Sequence, residues 1–240
     1  MNTLSPTGAA HRRRRVVSPL AGLALLVVAT ACGSSRLAVV GPVDDAPGAA
    51  SALTEETRLE TPLRIVFGWE LNDAGQRVEG RGVARVEPPY RARLDLFLNN
   101  GETVMSAALV EGDFRLPAGA PDDILPPPDL LWGALGVFRP TPAARLLGGD
   151  RLEGEGVRLR YAYADGRELH YGLEEGAVRT LEVLAGDAVV ERVEVALVAP
   201  ERYPVEATYR NLAEFRELKL VRESLQRSEP FDSDIWDPRG

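Results

Sequence analysis

From Leu63 onward, apolar and polar residues alternate with a period of two over most of the chain, first in "LRIVFGWEL", "QRVEGRGVARVEP" and "RARLDLFL". In the last of these Leu94, Leu96 and Leu98 share one side, which predicts antiparallel strands with one buried face. "NNGE" follows as a hairpin signal at Asn99, Asn100 and Gly101, and "TVMSAALVEG" returns as the next strand. Downstream, "GVRLRYAYADGRELHYGLEEGAVRTLEVLAGDAVVERVEVALV" puts Val157, Leu159, Tyr161 and Tyr163 on one face. Its short turns "ADG", "EEG" and "AGD" predict a meander of four strands.

Two stretches break this rhythm. "LPAGAPDDILPPPDLLWGALGVFRPTPAARLLGG" contains seven prolines, which sheet interiors exclude, so the segment of about residues 117–149 crosses over or covers something. Asp129 is placed to cap a short helix through Val137, and Thr141 with Pro142 to cap another ending at Gly148. Leu130, Leu131, Trp132, Leu135 and Phe138 give the first a broad apolar side. Near the C-terminus "YPVEATYR" alternates like a strand, while Leu212, Phe215, Leu218, Val221 and Leu225 also keep helical spacing. A final hairpin is favoured because many of these residues are β-compatible and no clear helix stop follows. "EPFDSDIWDP" reads as an extended tail.

The N-terminus has a different texture. Arg12, Arg13, Arg14 and Arg15 precede an apolar run, Val16 to Ala31, that closes in small residues, the order of a secretory signal peptide. The run is 16 residues long and is interrupted by Pro19 and Gly22, short of the roughly 20 that a transmembrane helix needs. "ATAC" can be cut as an ordinary A-x-A site, and it also resembles a bacterial lipobox, with Ala29 where Leu is more common. The residues after the arginine pair match a twin-arginine export signal poorly. On the lipobox reading residues 1–31 are removed and Cys32 carries a diacylglycerol and an N-acyl chain, a stable anchor because several chains hold where one does not. Gly33 lacks the Asp that retains lipoproteins in the inner membrane under the enterobacterial sorting rule, which points to the outer membrane, facing the periplasm. Residues 32–57, rich in Gly, Ala, Ser and Pro, read as a flexible linker, with a single domain over 58–240.

Charge and chemistry narrow the function classes. The chain carries a net charge of -8, which becomes -12 once the four signal arginines are lost, so nucleic acid and polybasic membrane attachment are disfavoured. Cys32 is the only cysteine, so an exported body has no disulfide and holds by packing. His170 lies on an alternating strand and reads as structural. Asp122 and Asp123 in the proline-rich loop read as solvated surface. No cluster has metal-ligand spacing, no glycine stretch forms a phosphate loop, and no nucleophile sits beside a base, so neither an enzyme nor a non-covalent cofactor has positive support.

A mainly β, strongly curved antiparallel sheet with short apolar helices over its concave face either encloses a hydrophobic cavity or fills its own hollow as ordinary core. The alternation alone fits both. "RLDLFLNNGETVMSAAL", "LLWGALGVFRP" and "LEVLAGDAVVERVEVALVAPERYPVEATYR" resemble the LolA/LolB family of bacterial lipoprotein carriers, particularly its membrane-anchored branch, LolB, over roughly residues 60–225. The resemblance implies a half-barrel of about eleven strands whose lid helices cover a hollow for lipoprotein acyl chains. It also implies a LolA-like periplasmic carrier as partner. Carried over by position, Leu131, Trp132, Leu135 and Phe138 line the lid, and Leu94, Leu96, Val157, Leu159 and Tyr161 face the hollow, an assignment that a one-residue register error inverts. LolB projects an exposed leucine from its early hairpin, whereas the tip here is Asn99, Asn100 and Gly101. The anchor is tested by Cys32→Ser, which is expected to move the whole protein from the membrane to the soluble fraction of fractionated cells. Continued membrane association would mean a different anchor.

Overall fold

A computed structural model describes residues 38–120 and 124–238. Cys32, the signal segment, Asp122 and Asp123 lie outside the described residues. The elements run β1 (Val39–Pro42), α1 (Ala46–Glu56), β2 (Leu63–Asp73), β3 (Gln76–Glu87), β4 (Arg91–Leu98), β5 (Thr103–Val110), β6 (Asp113–Arg115) and α2 (Pro128–Ala134). They continue with β7 (Arg145–Leu152), β8 (Val157–Ala162), β9 (Glu168–Glu174), β10 (Ala177–Ala185), β11 (Ala188–Ala196), β12 (Glu206–Asn211) and β13 (Arg216–Arg227). All thirteen strands join one antiparallel sheet in the order β1-β7-β8-β9-β10-β11-β12-β13-β2-β3-β4-β5-β6. The ends β1 and β6 do not pair with each other, so the sheet is an open, curved half-barrel. Among the described residues no helix is long and apolar enough to cross a membrane.

The hairpin rhythm of the sequence is the strand order. Turns of two to five residues join β2 to β3, β4 to β5 and β8 through β11. The C-terminal choice resolves as a hairpin, with Glu206–Asn211 paired against Arg216–Val221 and β13 then running along the whole of β2. Close backbone approach explains two glycines of β3. A Cβ on Gly80 would lie 2.0 Å from the Phe97 carbonyl oxygen, and one on Gly82 would lie 2.5 Å from the Phe67 ring.

Four expectations are corrected. Residues 39–56 are not linker: β1 pairs with β7, and α1 is capped by Asp45, whose Oδ1 accepts the Gly48 N–H at 2.9 Å. Few apolar residues mark this helix, yet Ala46 and Leu53 are buried in the core. The body therefore starts at Val39, which leaves six residues, 33 to 38, between Cys32 and the first strand. Second, Arg145–Leu152 is strand β7 instead of a helix ending at Gly148, because pairing with both β1 and β8 outweighs a local cap. Third, α2 starts after Pro127 and stops at Ala134, with Asp129 inside its first turn and not at its cap. Fourth, the tail does not run free. Ser233–Trp236 is a 3-10 turn docked on the outer face of β4 and β5, where Arg93 Nη1 donates to the Ile235 carbonyl at 2.7 Å and Arg115 Nη1 to the Trp236 carbonyl at 3.1 Å.

That outer face is polar but organised. Asp95 is buried there, and burial alone would raise its carboxyl. Hydrogen bonds from Arg93 (2.9 Å) and Ser106 (2.7 Å), with the nearby Arg85 charge, hold it below its ordinary value.

On the concave side α2 crosses β10, β11 and β12. Gly133 lets it approach: a Cβ there would meet Leu181 Cδ1 at 2.4 Å, and Leu181 is fully buried and has nowhere to move. Gly133→Val is expected to cost about 3 kcal/mol and to lower the melting temperature by about 5–10 °C, measured by circular dichroism. An unchanged melting temperature would contradict the close packing of α2 on β10.

Candidate functional site

The concave face is built by strand parity. In β4, Leu94 and Leu96 point inward and are fully buried, whereas Arg93 and Asp95 serve the outer face. In β8, Leu159 and Tyr161 are buried, and Val157 packs half-buried at the edge of the same cluster. Leu131, Trp132, Leu135 and Phe138 descend on them from α2 and the residues after it, all buried. The structure thus brings the sequence-assigned residues into one apolar cluster, with the register that alternation implied.

Most of this cluster is filled. Phe138 meets Tyr171 edge-on at 4.6 Å between ring centroids, and Tyr161 lies 6.0 Å from Tyr171. Thr57, after α1, ties the lid down by accepting the Phe138 N–H on Oγ1 at 2.9 Å. Burial pushes the Tyr161 hydroxyl up to about 12, so it stays neutral. His170 is buried on β9 with Nε2 2.8 Å from Glu168, and burial lowers its pKa, which fits a structural role.

A void remains at the C-terminal end of α2. Phe67, Leu94, Leu135, Tyr203, Pro204 and Leu220 border about 40 Å³ of free space. Leu94 and Leu135 were assigned from sequence, whereas Phe67, Tyr203, Pro204 and Leu220 were not. Phe67 was accessible from the alternation of "LRIVFGWEL", but Tyr203 and Pro204 belong to a loop without periodicity. That loop is clamped: Arg202 donates to the carbonyls of Glu56 (3.1 Å) and Arg58 (3.0 Å), and Arg222 binds Glu201 and the Tyr203 carbonyl (3.3 Å).

A second cavity, of about 220 Å³, lies at the N-terminal end of α2, where the charged groups Glu111, Asp129, Arg139, Arg167 and Glu191 are set among apolar residues such as Trp132 and Val183. Asp129 accepts the Tyr163 hydroxyl at 2.8 Å. Burial raises its carboxyl against that hydrogen bond and the nearby Arg139 charge, and partial burial raises Glu191, half-buried beside Tyr209, in the same way.

The hairpin tips at one end of the sheet differ in character. Asn99, Asn100 and Gly101 form a polar tip between β4 and β5. The β12–β13 tip instead exposes Leu212 (43%) and Phe215 (81%), with Phe215 in the left-handed region at φ 57°. Its carbonyl accepts the Ala74 N–H at 3.2 Å from the neighbouring β2–β3 turn.

No family model and no curated protein sequence matches the chain. Solved structures do. A LolA superfamily protein from Nitrosomonas europaea aligns with TM-score 0.52 at 9% identity, covering 81% of this chain and 98% of its own. The fold is of the LolA/LolB type. A DUF1329 family protein from Desulfovibrio piger aligns with this LolA-like chain at TM-score 0.54 and 8% identity, over 82% and 98% of the two chains. A domain from Vibrio parahaemolyticus described as an outer membrane lipoprotein-sorting protein aligns at 0.52 and 9%, over 80% and 97%. The LolA-like half-barrel here has thirteen strands, two more than the resemblance implied, because it includes β1 at one edge and the short β6 at the other.

The buried carboxyl of the lid gives a test by pH. Because the folded-state pKa of Asp129 is raised, the stability it contributes is complete below its unfolded value of about 3.9 and is lost as pH rises through the folded value. Asp129→Asn, which still accepts from Tyr163, is expected to melt above the parent at neutral pH, with the difference vanishing in acid. Thermal scans that show no gain at neutral pH would contradict this.

Proposed function

We propose that the chain is a lipid-anchored protein of the bacterial cell envelope, held through Cys32, that accepts lipoprotein acyl chains beneath α2 and passes them to the outer membrane. The observation that carries this reading is the apolar void bordered by Phe67, Leu94, Leu135 and Tyr203 inside a LolA-type half-barrel. The lipoprotein-sorting description of the Vibrio parahaemolyticus domain supports the envelope location. The donor on this reading is a LolA-like periplasmic carrier.

At about 40 Å³ the void is far below the roughly 300 Å³ of an ordinary ligand pocket, so the closed form must open before it accepts a chain. The least costly route parts Leu135 from the Tyr203–Val205 loop, since that leaves Leu130, Leu131 and Trp132 packed. Placement in a bilayer falls to the β12–β13 tip, where Leu212 and Phe215 supply the exposed apolar side chains that the Asn99–Gly101 tip lacks. A tether of six residues reaches about 20 Å at full extension, which keeps the body beside its membrane.

A second reading, a lipid-anchored structural or binding module that inserts no lipoproteins, rests on how little of the hollow is free. Liposomes bearing the full chain, mixed with a carrier loaded with labelled lipoprotein, separate the two. Cargo is expected to move to the liposomes, and Leu135→Glu is expected to slow acceptance at least about tenfold, the equivalent of 1.4 kcal/mol. Phe215→Asp is expected to preserve acceptance and reduce insertion. Cargo that stays with its carrier would reject the lipoprotein role and leave the second reading.

A further inference from the structure

The cavity at the N-terminal end of α2 has charges left over. Of the ionisable groups that line it, Arg167 is paired with Asp165 at 2.8 Å, Asp129 accepts from Tyr163 at 2.8 Å, and Glu191 accepts from Tyr209 at 3.3 Å. Two remain without an ion-pair or hydrogen-bond partner among the described residues, Arg139 and the exposed Glu111 on the β5–β6 turn. The Arg139 guanidinium is stacked 3.5 Å above the Tyr90 ring, which holds its plane while leaving its edge donors unused. Tyr90 in turn stands edge-on to Trp132, 6.0 Å between centroids. Trp132 lines the same cavity, is 1% exposed, and its indole Nε1–H is buried with no acceptor. A buried donor left unmade costs about 1–3 kcal/mol, and this N–H is itself closed to solvent, so an acceptor oxygen in the cavity reaches it only after the ring or the wall shifts.

One idle planar cation, one idle carboxylate and one idle buried N–H describe a ligand with anionic oxygens at one point and a cation at another. We propose that this cavity binds the zwitterionic head of a phospholipid, the phosphate on Arg139 beside Trp132 and the ammonium towards Glu111. At about 220 Å³ the cavity has room for a head group and not for acyl chains. The tails have their own place: the apolar void begins at Ala134 and Leu135, at the other end of this seven-residue helix, about 10 Å along its axis. α2 therefore stands between a charged and an apolar site at a spacing that an amphiphile spans. The tail half of this inference rests on the acyl-binding reading above, whereas the head half rests on the cavity's own charges.

The test titrates the full chain, in a non-ionic detergent, with dihexanoylphosphatidylethanolamine, dihexanoylphosphatidylglycerol, dihexanoylglycerol and inorganic phosphate. Calorimetry and the indole N–H resonance of Trp132 are the readouts. The zwitterionic lipid is expected to bind about tenfold more tightly than the uncharged diglyceride and to shift the Trp132 resonance downfield. Arg139→Gln is expected to remove that advantage, and Glu111→Gln to remove the preference over the phosphatidylglycerol. Arg139→Lys, which keeps the charge and loses the planar stack, falls between. Diglyceride binding as tight as phospholipid binding, or an advantage that survives Arg139→Gln, overturns the head site and leaves the acyl reading standing. Inorganic phosphate binding as tightly as the phospholipid means a free-phosphate site and also overturns it. If neither phospholipid binds, the head site is overturned, and the lipoprotein-transfer assay decides the acyl reading separately.

Discussion

A sheet that curls without closing exposes an apolar concave face, and the rest of this structure follows from how that face is covered. Leu130, Leu131 and Trp132 of α2, with Phe138 just beyond, are all within 2% of complete burial. At about 1.5–3 kcal/mol for each large apolar side chain, lifting the lid off altogether costs on the order of 6–12 kcal/mol. A chain drawn from water offsets this at about 0.8 kcal/mol per methylene, but one handed over from another hydrophobic site brings little gain. On the proposed function, exchange between carriers therefore favours a small opening. On that reading the contact between Leu135 and the Tyr203–Val205 loop is where a small opening suffices, and the arginine clamps on that loop set its cost.

The same covering element sorts the hollow into unlike parts. The aromatic cluster of Phe138, Tyr161 and Tyr171 fills the side under β8 and β9, an apolar void is bordered by residues of β2, β3, β4, β12 and β13, and charged residues collect where α2 begins. Gly133 permits the close crossing over β10 that makes this division. The early β1 and α1 and the docked 3-10 turn at Trp236 extend the folded body on both sides of the central sheet strands.

The sheet was legible in the sequence because one buried face imposes a period of two. The period puts Leu94 with Leu96, and Leu159 with Tyr161, on one face, and all four are buried, whereas a slip of one residue would have put Asp95 or Arg160 in the core. What was not legible depends on partners distant in the chain. α1 has too few apolar residues to announce itself and is held by contacts to the core. β7 follows a plausible helix cap and becomes a strand because β1 and β8 lie on either side. Tyr203 and Pro204 border the void from a loop that carries no periodic signal, and Arg139 and Glu111, 28 residues apart, come to line one cavity only through the tertiary fold.

The central claim is that an acyl chain is held beneath α2. The direct measurement is Trp132 fluorescence in a Trp69→Phe, Trp236→Phe background, which leaves one emitter of the chain's three tryptophans, titrated with a fatty acid brominated midway along its chain. The account predicts saturable quenching that is lost with Leu135→Glu. Trp132 emission that stays constant at every concentration of the brominated chain would contradict it.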